Sequence, residues 1–225
     1  MKKVILFDID GTLVRDEGSA GGAFLLAFKT IFNKDISTVK VSKAGRTDVA
    51  IIQDVAQVTL NRPLELEELI LLNNLYIDNL TNNLISNSTM QSIPGALELV
   101  TKLHSLGDLL LGIQTGNVEQ AAWLKLKHCQ LDHYFSFGGF CTGQHERHLI
   151  VKSAIDQALH IDPSNTKENI LIVGDTPHDI TAAHENGVSS IGVTTGHHTS
   201  EELLQAKPLG VVENFMNIEE FLNFL

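Results

Sequence analysis

The sequence predicts a doubly wound α/β fold with a parallel sheet and an all-helical insertion near the amino terminus. Short apolar runs recur along the chain, and most are followed by a turn and a helical stretch, which is typical of right-handed parallel crossovers. Between Arg15 and about Gln91 this alternation stops, and only helical periodicity continues. A chain of 225 residues is long for one minimal domain and short for two large ones, so one core with an insertion fits best.

The predicted strands make a five-stranded, Rossmann-like sheet. Residues 3–9 form an apolar run that ends in acids and a Gly-Thr turn, which indicates a buried strand carrying Asp8 and Asp10 to its carboxyl end. Open α/β sheets bind their ligands at that end. The other predicted strands are 109–114, 170–173, 190–193 and 210–212.

Residues 15–90 are predicted to form a helical cap inserted into the core. Helical periodicity runs through 17–32, 47–58 and 64–85, and no strand-like run interrupts it. The catalytic core then consists of residues 1–14 and 91–225.

Charge and cysteine content narrow the function classes. The 27 acidic and 16 basic residues give a net charge of −11, which disfavours binding to nucleic acid or to an anionic membrane surface, although a local basic pocket remains open. Cys129 and Cys141 are too far apart for a CxxC pair, and we expect reduced thiols. No signal-peptide pattern or membrane-length apolar stretch is visible, so we expect a cytoplasmic protein of undetermined oligomeric state.

Asp8 and Asp10 are the first candidates for chemistry. One residue separates them, so an extended backbone points both side chains to the same side, and the turn at Gly11 exposes them. One carboxylate of such a pair can hold a cation and attack phosphorus, while the other gives a proton to the leaving oxygen and later takes one from water. The alternative is a pair of solvated acids at a strand end.

Asp175 and Asp179 follow the apolar run 170–173 and supply two more acids. Neighbouring strand ends would bring Asp175 within reach of Asp8. Because Mg²⁺ prefers oxygen ligands and keeps several waters, two or three carboxylate or carbonyl oxygens and a substrate phosphate would suffice. Asp179 has a second interpretation, since Thr176 followed three residues later by an acid is a helix capping box, and both roles can hold together.

Thr115, Gly116 and Asn117 follow the predicted strand 109–114. The threonine hydroxyl and the adjacent backbone N–H groups could bind phosphoryl oxygens at a helix N-terminus. The alternative is structural, because an asparagine N-cap after a glycine turn is common.

Taken together, these motifs resemble those of the haloacid dehalogenase (HAD) superfamily. The matching residues, in order, are Asp-Ile-Asp-Gly-Thr-Leu-Val at 8–14, Thr115, and Gly-Asp-Thr-Pro-His-Asp at 174–179. The resemblance implies a phosphatase with Asp8 as nucleophile and Asp10 as acid and base, since dehalogenases of the family lack the second aspartate. It also implies Mg²⁺ held by Asp8, the backbone carbonyl of Asp10, and Asp175, with Asp179 supporting the site.

The family also places a lysine or arginine near the start of the helix before the last motif. This sequence has no Lys-Pro there, and the candidates are Arg147 and Lys152. On a helix, the apolar residues between 151 and 159 share one face and Lys152 borders the polar one, which favours Arg147 as the catalytic cation. An arginine can contact two phosphoryl oxygens at once, so the chemistry tolerates the exchange.

The predicted cap resembles the helical C1 cap of phosphoglycolate phosphatases and β-phosphoglucomutases. Residues 45–48, Gly-Arg-Thr-Asp, resemble a loop seen in some of these enzymes, and Arg46 would reach an anionic group of the substrate when the cap closes. The alternative for Arg46 is a surface arginine beside a helix cap. We interpret four further residues as scattered surface or loop histidines rather than a metal site: His145, His148, His197 and His198.

The sequence therefore predicts a Mg²⁺-dependent phosphatase acting on a small phosphorylated metabolite. The substrate would be phosphoglycolate-like or a sugar phosphate, and the reaction would pass through an aspartyl phosphate. A phosphomutase of the β-phosphoglucomutase type, in which a second substrate hydroxyl replaces water, is the enzymatic alternative. A non-catalytic protein that binds Mg²⁺ or a phospholigand on the same fold is the other.

Overall fold

A parallel sheet of six strands lies at the centre of the computed structural model, which describes residues 3–42, 44–86, 88–143 and 146–225. A separate antiparallel ribbon joins the second and third strands. The strands are β1 (Lys3–Phe7), β2 (Val14–Asp16), β3 (Met90–Ser92), β4 (Leu109–Gln114), β5 (Gly138–Gly139), β6 (Ile170–Gly174), β7 (Ser189–Val193) and β8 (Gly210–Val212).

Helices cover both faces of the sheet and form most of the segment between β2 and β3. The helices of the described residues are α1 (Ser19–Phe32), α2 (Asp48–Leu60), α3 (Leu66–Ser86), α4 (Ala96–Ser105), α5 (Glu119–His128), α6 (Arg147–Ile161), α7 (Pro177–Glu185), α8 (Ser200–Gln205) and α9 (Ile218–Leu222).

The apolar run of β1 is continuous because both of its faces are buried. Ile5 and Phe7 pack into the core on one side of the sheet, which includes residues of α4, α5 and α9. Val4 and Leu6 pack on the other side against α6 and α7. Successive strand residues point to opposite faces, so a strand covered on both faces shows no polar alternation.

The strand order places a ligand crevice beside β1. The order is β5-β4-β1-β6-β7-β8, with β1 hydrogen-bonded in parallel to β4 on one side and to β6 on the other. The chain builds one half of the sheet with β4 and β5 and then crosses β1 to build the other half. Such a switch point opens a crevice at the carboxyl ends of the strands. The predicted doubly wound α/β fold is confirmed, and Asp8 and Asp10 follow its central strand.

The sheet has one strand more than predicted. The prediction of five strands omitted β5, which consists only of Gly138 and Gly139 and pairs with the end of β4. Two glycines carry no apolar or β-branched side chain, so no strand pattern marks them. A bulky residue could not replace Gly139, since a Cβ there would lie 2.1 Å from the Ile150 carbonyl oxygen.

Helices α1, α2 and α3 share an apolar core of their own, which includes Phe28, Val55 and Leu72. The chain enters this segment through β2 and leaves through β3, where Arg15 lies opposite Gln91. The expectation that no strand occurs between Arg15 and Gln91 was therefore wrong at both ends. Three-residue strands are too short to stand out from the flanking polar sequence.

No helix within the described ranges combines the length and the apolar character needed to cross a membrane.

Candidate active site

Asp8 lies one residue beyond β1, at the floor of the crevice. Its backbone N–H donates to the carbonyl oxygen of Val173 in β6 at 2.9 Å, so the sheet itself fixes its position. The side chain is buried, and Arg147 Nη2 lies 2.8 Å from its Oδ1. Arg147 is the first residue of α6. Strand end and helix start thus place a carboxylate and a guanidinium in direct contact.

Asp175 and Asp179 complete a buried group of three carboxylates with Asp8. One oxygen of each lies within 4.8 Å of the others, close enough to hold a metal ion. Asp175 follows β6, the neighbour of β1, and its Oδ1 accepts a hydrogen bond from the Thr12 hydroxyl at 3.3 Å. A Cβ on Gly196 would lie 1.7 Å from Asp175 Oδ2. The carboxylate fits beside this position because glycine has no side chain.

Asp179 is held from both sides. Its Oδ1 accepts hydrogen bonds from Arg147 at 2.7 Å and from the Gln114 amide at 3.1 Å, whereas its Oδ2 accepts from the backbone and hydroxyl of Thr176. The predicted capping box at the start of α7 is present. Because both oxygens are occupied, Asp179 orients Arg147 and caps the helix beside the other two carboxylates.

Burial raises the pKa values of Asp8 and Asp175. Desolvation raises the pKa of Asp8 to about 6, with the Arg147 charge opposing the shift and Asp179 adding to it. Desolvation, followed by repulsion from Asp8 and Asp179, raises the pKa of Asp175 to about 8. A desolvated group of like charges gains most from a cation that enters among them. The three carboxylates therefore fit a hard divalent metal ion.

Thr115, Gly116 and Asn117 form the loop between β4 and α5, at the crevice edge. The Thr115 N–H donates to the Gly139 carbonyl in β5, and its hydroxyl accepts from the Asn117 side chain at 2.7 Å. The Asn117 amide also donates to Asp10 Oδ2 at 2.6 Å. This loop thus connects the end of β4 to Asp10.

Asp10 contacts Lys125, a residue that the sequence analysis did not identify as part of the site. Lys125 Nζ lies 2.8 and 2.7 Å from the two oxygens of Asp10, and 2.6 Å from Asn117 Oδ1. Burial acts to raise the pKa of Asp10, but attraction and hydrogen bonding by Lys125, with the Asn117 hydrogen bond, together hold it below its usual value. The Asp10 side chain is 45% exposed to the cleft, so it can meet a ligand there.

A pattern in α5 could have revealed Lys125. The buried residues of this helix are Ala121, Ala122, Lys125 and Leu126, spaced as one helical face. A lysine on the buried face of an amphipathic helix needs a charged partner, and the carboxylate of Asp10 provides one.

Residues 45–48 lie against the Thr115 loop. The Asp48 N–H donates to the Gly116 carbonyl at 2.8 Å, and Asp48 Oδ2 accepts from the Val118 N–H at 2.9 Å. A Cβ on Gly116 would lie 2.2 Å from the Arg46 carbonyl oxygen, which shows how closely the two loops approach. Thr47 is the N-cap of α2, and its side chain accepts from the Ala50 N–H. The loop is therefore docked over the crevice by backbone contacts.

The Arg46 side chain pairs with Asp54 on α2. Its Nη1 lies 2.6 Å from Asp54 Oδ2 and 3.2 Å from the Ser42 carbonyl oxygen. Arg46 still lines the cleft beneath the loop.

The two loops and the sheet edge enclose a cleft of about 760 Å³. The residues that line it include the predicted Asp8, Asp10, Arg46, Thr115, Gly116, Asn117, Arg147 and Asp175, together with Asp48. Asp179 and Lys125 are not among these lining residues. Asp179 contacts Arg147, and Lys125 contacts Asp10.

Lys152, His148 and His198 each contact an acid. Lys152 is exposed on α6 and contacts Asp156. His148 lies 3.4 Å from Glu185, His198 lies 3.6 Å from Glu202, and His197 lines the cleft. His145 lies outside the described residues.

Comparisons with known proteins identify the family of this chain. The family model for haloacid dehalogenase-like hydrolases matches residues 5–193. "Probable phosphatase IndB" of Dickeya dadantii (strain 3937) is 27% identical over 222 residues, 97% of this chain and 92% of that protein.

Solved structures share the whole fold at low identity. A predicted phosphoglycolate phosphatase from Haemophilus somnus 129PT has a TM-score of 0.74 at 22% identity, covering 98% of both chains. The "putative beta-phosphoglucomutase" of Thermotoga maritima has a TM-score of 0.64 at 16% identity, covering 99% of this chain and all of the other. With the family match extending from β1 through β7, the chain belongs to the haloacid dehalogenase-like hydrolases.

Proposed function

We propose that this protein is a Mg²⁺-dependent phosphatase that hydrolyses a small phosphomonoester through a phosphorylated Asp8. The observation that carries the proposal is the contact between Arg147 and Asp8 in a cleft that Asp10 also lines. A nucleophile, a fixed cation and a second carboxylate are the groups that phosphoryl transfer to an aspartate requires. The family match and the phosphatase relative support the same chemistry.

Asp8 attacks the phosphorus in the first step. A bond forms between a carboxylate oxygen of Asp8 and phosphorus, the ester P–O bond breaks, and the leaving oxygen takes a proton from Asp10. Arg147 offers positive charge beside Asp8, where the equatorial phosphoryl oxygens gather charge in the transition state. Thr115 and the loop after it would bind the other phosphoryl oxygens.

Water completes the cycle in the second step. Asp10 takes a proton from water, the water oxygen attacks phosphorus, and the bond from phosphorus to Asp8 breaks to release inorganic phosphate. Lys125 holds Asp10 in the ionised form that this step needs. The first step needs Asp10 protonated, and moving its carboxylate away from Lys125 would raise its pKa toward that state.

Asp8, Asp175 and the backbone carbonyl of Asp10 would hold the Mg²⁺ ion, with Asp179 supporting them. The buried carboxylates fit such an ion because their oxygens converge and lack water to stabilise their charge. When bound, the ion would supply positive charge for the phosphoryl oxygens. Arg147 pairs with both Asp8 and Asp179. Its single positive charge does not neutralise the three carboxylates, so the group stays net negative.

Residues 15–90 would act as the cap in this proposal, closing the cleft through the docked loop at 45–48. Cys129 and Cys141 are buried cysteines outside any disulfide, which favours a reducing compartment such as the cytoplasm as the place of action.

A phosphate-release screen over small phosphomonoesters, with Mg²⁺ and with chelator, tests the proposal. We expect release that depends on Mg²⁺ and is lost in Asp8→Asn. Isomerised sugar phosphate without released phosphate would instead identify the phosphomutase alternative. Ligand binding without any turnover would identify the non-catalytic one.

A further inference from the structure

Asp48 is a cleft carboxylate that the proposed chemistry does not use. It belongs to the docked loop at 45–48 and lines the same cleft as Asp8. Two hydrogen bonds fix its position. Its backbone N–H donates to the Gly116 carbonyl oxygen, and its Oδ2 accepts from the Val118 N–H. Asp48 lines the cleft, and the Val118 contact uses its Oδ2 rather than its Oδ1.

We propose that Asp48 selects a neutral, hydroxyl-bearing leaving group, so that the substrates are sugar or polyol monophosphates rather than phosphates that carry a carboxylate. This inference rests on the proposed phosphatase function and specifies its substrate class.

Cations at or beside the cleft already have partners of opposite charge or carbonyl contacts. Lys125 is bound to both oxygens of Asp10, and Arg46 is paired with Asp54. Arg15 Nη2 donates to the Thr195 carbonyl oxygen at 3.2 Å. A carboxylate on the substrate would therefore compete with existing partners for each of these groups.

Asp48 itself favours a hydrogen-bond donor. An ionised carboxylate only accepts hydrogen bonds, so a substrate hydroxyl can donate to it, whereas a substrate carboxylate repels it. Burial raises the pKa of Asp48 to about 6, with Lys125 and the Val118 hydrogen bond opposing the shift, so the side chain is mainly ionised above pH 7. Repulsion between like charges gives selectivity against the wrong partner.

Matched substrate pairs test the selection directly. Hydroxyethyl phosphate and phosphoglycolate differ only in a CH₂OH or carboxylate group, as do glycerol phosphate and phosphoglycerate, and sorbitol phosphate and phosphogluconate. At pH 8, we expect the neutral member of at least one pair to have kcat/KM at least about tenfold above its carboxylate partner. Equal values, or a preference for the carboxylate members, would overturn the proposal.

Asp48→Asn separates charge from structure, because the amide oxygen can still accept from Val118. We expect this variant to reduce the ratio within the discriminated pair to below about threefold, mainly by improving the carboxylate member. Glu17→Gln removes the same charge from the exposed rim of the cleft, and we expect it to change the ratio by less than about twofold. An unchanged ratio in Asp48→Asn would refute the role of Asp48.

A binding measurement keeps this inference distinct from the proposed function. Calorimetry of Asp8→Asn with the same pairs and Mg²⁺ needs no turnover, and we expect tighter binding of the neutral members. If the wild type releases no phosphate yet binds them selectively, the phosphatase proposal fails and the ligand class stands. If the wild type is active but neither binding nor kcat/KM favours neutral members, only the inference fails.

Discussion

Arg147 Nη2 lies 2.8 Å from Asp8 Oδ1, and the same nitrogen lies 2.7 Å from Asp179 Oδ1. One cation thus bridges the proposed nucleophile and the acid that caps α7. Arg147→Ala should lower turnover by about a hundredfold or more, since a preorganised charge beside the transferring group is lost. Steady-state phosphate release with saturating Mg²⁺ measures this effect.

Lys152→Ala is the matched control on the same helix. Its side chain is exposed, so turnover should change by less than about threefold. Circular dichroism of Arg147→Ala and of the milder Arg147→Lys would separate catalytic loss from unfolding. A crippled Lys152→Ala beside a healthy Arg147→Ala would reverse the assignment.

Asp8→Asn should abolish turnover while the fold persists. The amide is nearly isosteric, but it is neither a competent nucleophile nor an anionic metal ligand. Its oxygen can still accept from Arg147, and one charge fewer beside Asp175 relieves repulsion, so the melting temperature in chelator should stay equal or rise. Residual activity near that of the wild type would refute the nucleophile assignment.

Stability should depend on pH and Mg²⁺ together. Burial raises the pKa of Asp8 to about 6 and of Asp175 to about 8, both above the ordinary aspartate value of 3.8. At these two sites the metal-free folded state therefore binds more protons between about pH 4 and 8 than the unfolded state, so their contribution to stability falls as pH rises. Mg²⁺ competes with those protons, and its stabilisation should grow over the same range.

Melting curves in chelator and in millimolar Mg²⁺, taken from about pH 5 to about pH 8, check this expectation. Asp175→Ala should remove much of the Mg²⁺ gain and flatten the pH dependence in chelator. A wild-type melting temperature that ignores Mg²⁺ at every pH would show that the metal site is wrong.

Lys125 is expected to act as a positioning residue for Asp10. Lys125→Gln should lower kcat by about tenfold or more with a smaller effect on KM, because Asp10 loses the contact that fixes its carboxylate. It should also move the limb of the kcat profile that reports Asp10 to higher pH. Lys127→Gln, on the exposed side of the same helix, should leave both properties near wild type. An unshifted profile in Lys125→Gln would refute this role.

The sequence predicted the elements whose side chains carry a pattern. Strands β1, β4 and β6 are apolar runs followed by turns, so the sequence pattern predicted both the strands and the site residues at their ends. Strand β5 could not, because Gly138 and Gly139 are recognisable only from their pairing with β4. The ribbon of β2 and β3 is likewise defined by contact between distant segments.

The same distinction applies to the site. Asp8, Asp10, Asp175 and Asp179 lie within local motifs, whereas the contact of Lys125 with Asp10 depends on how α5 packs against the segment after β1. Asp48 belonged to a recognised loop, but its contacts with Gly116 and Val118 arise only when that loop meets another. Tertiary packing, rather than local spacing, determines these positions.

The β2–β3 ribbon allows the helical segment between its strands to be exchanged as a unit. Asp16 and Met90 are paired across β2 and β3, so the chain leaves the sheet layer and returns to it at adjacent points. Residues 17–89 therefore form a cassette whose two ends meet, and a short turn could join Asp16 to Met90. Exchange of that cassette would alter the ligand-facing loop without changing the strands that hold Asp8 and Asp175.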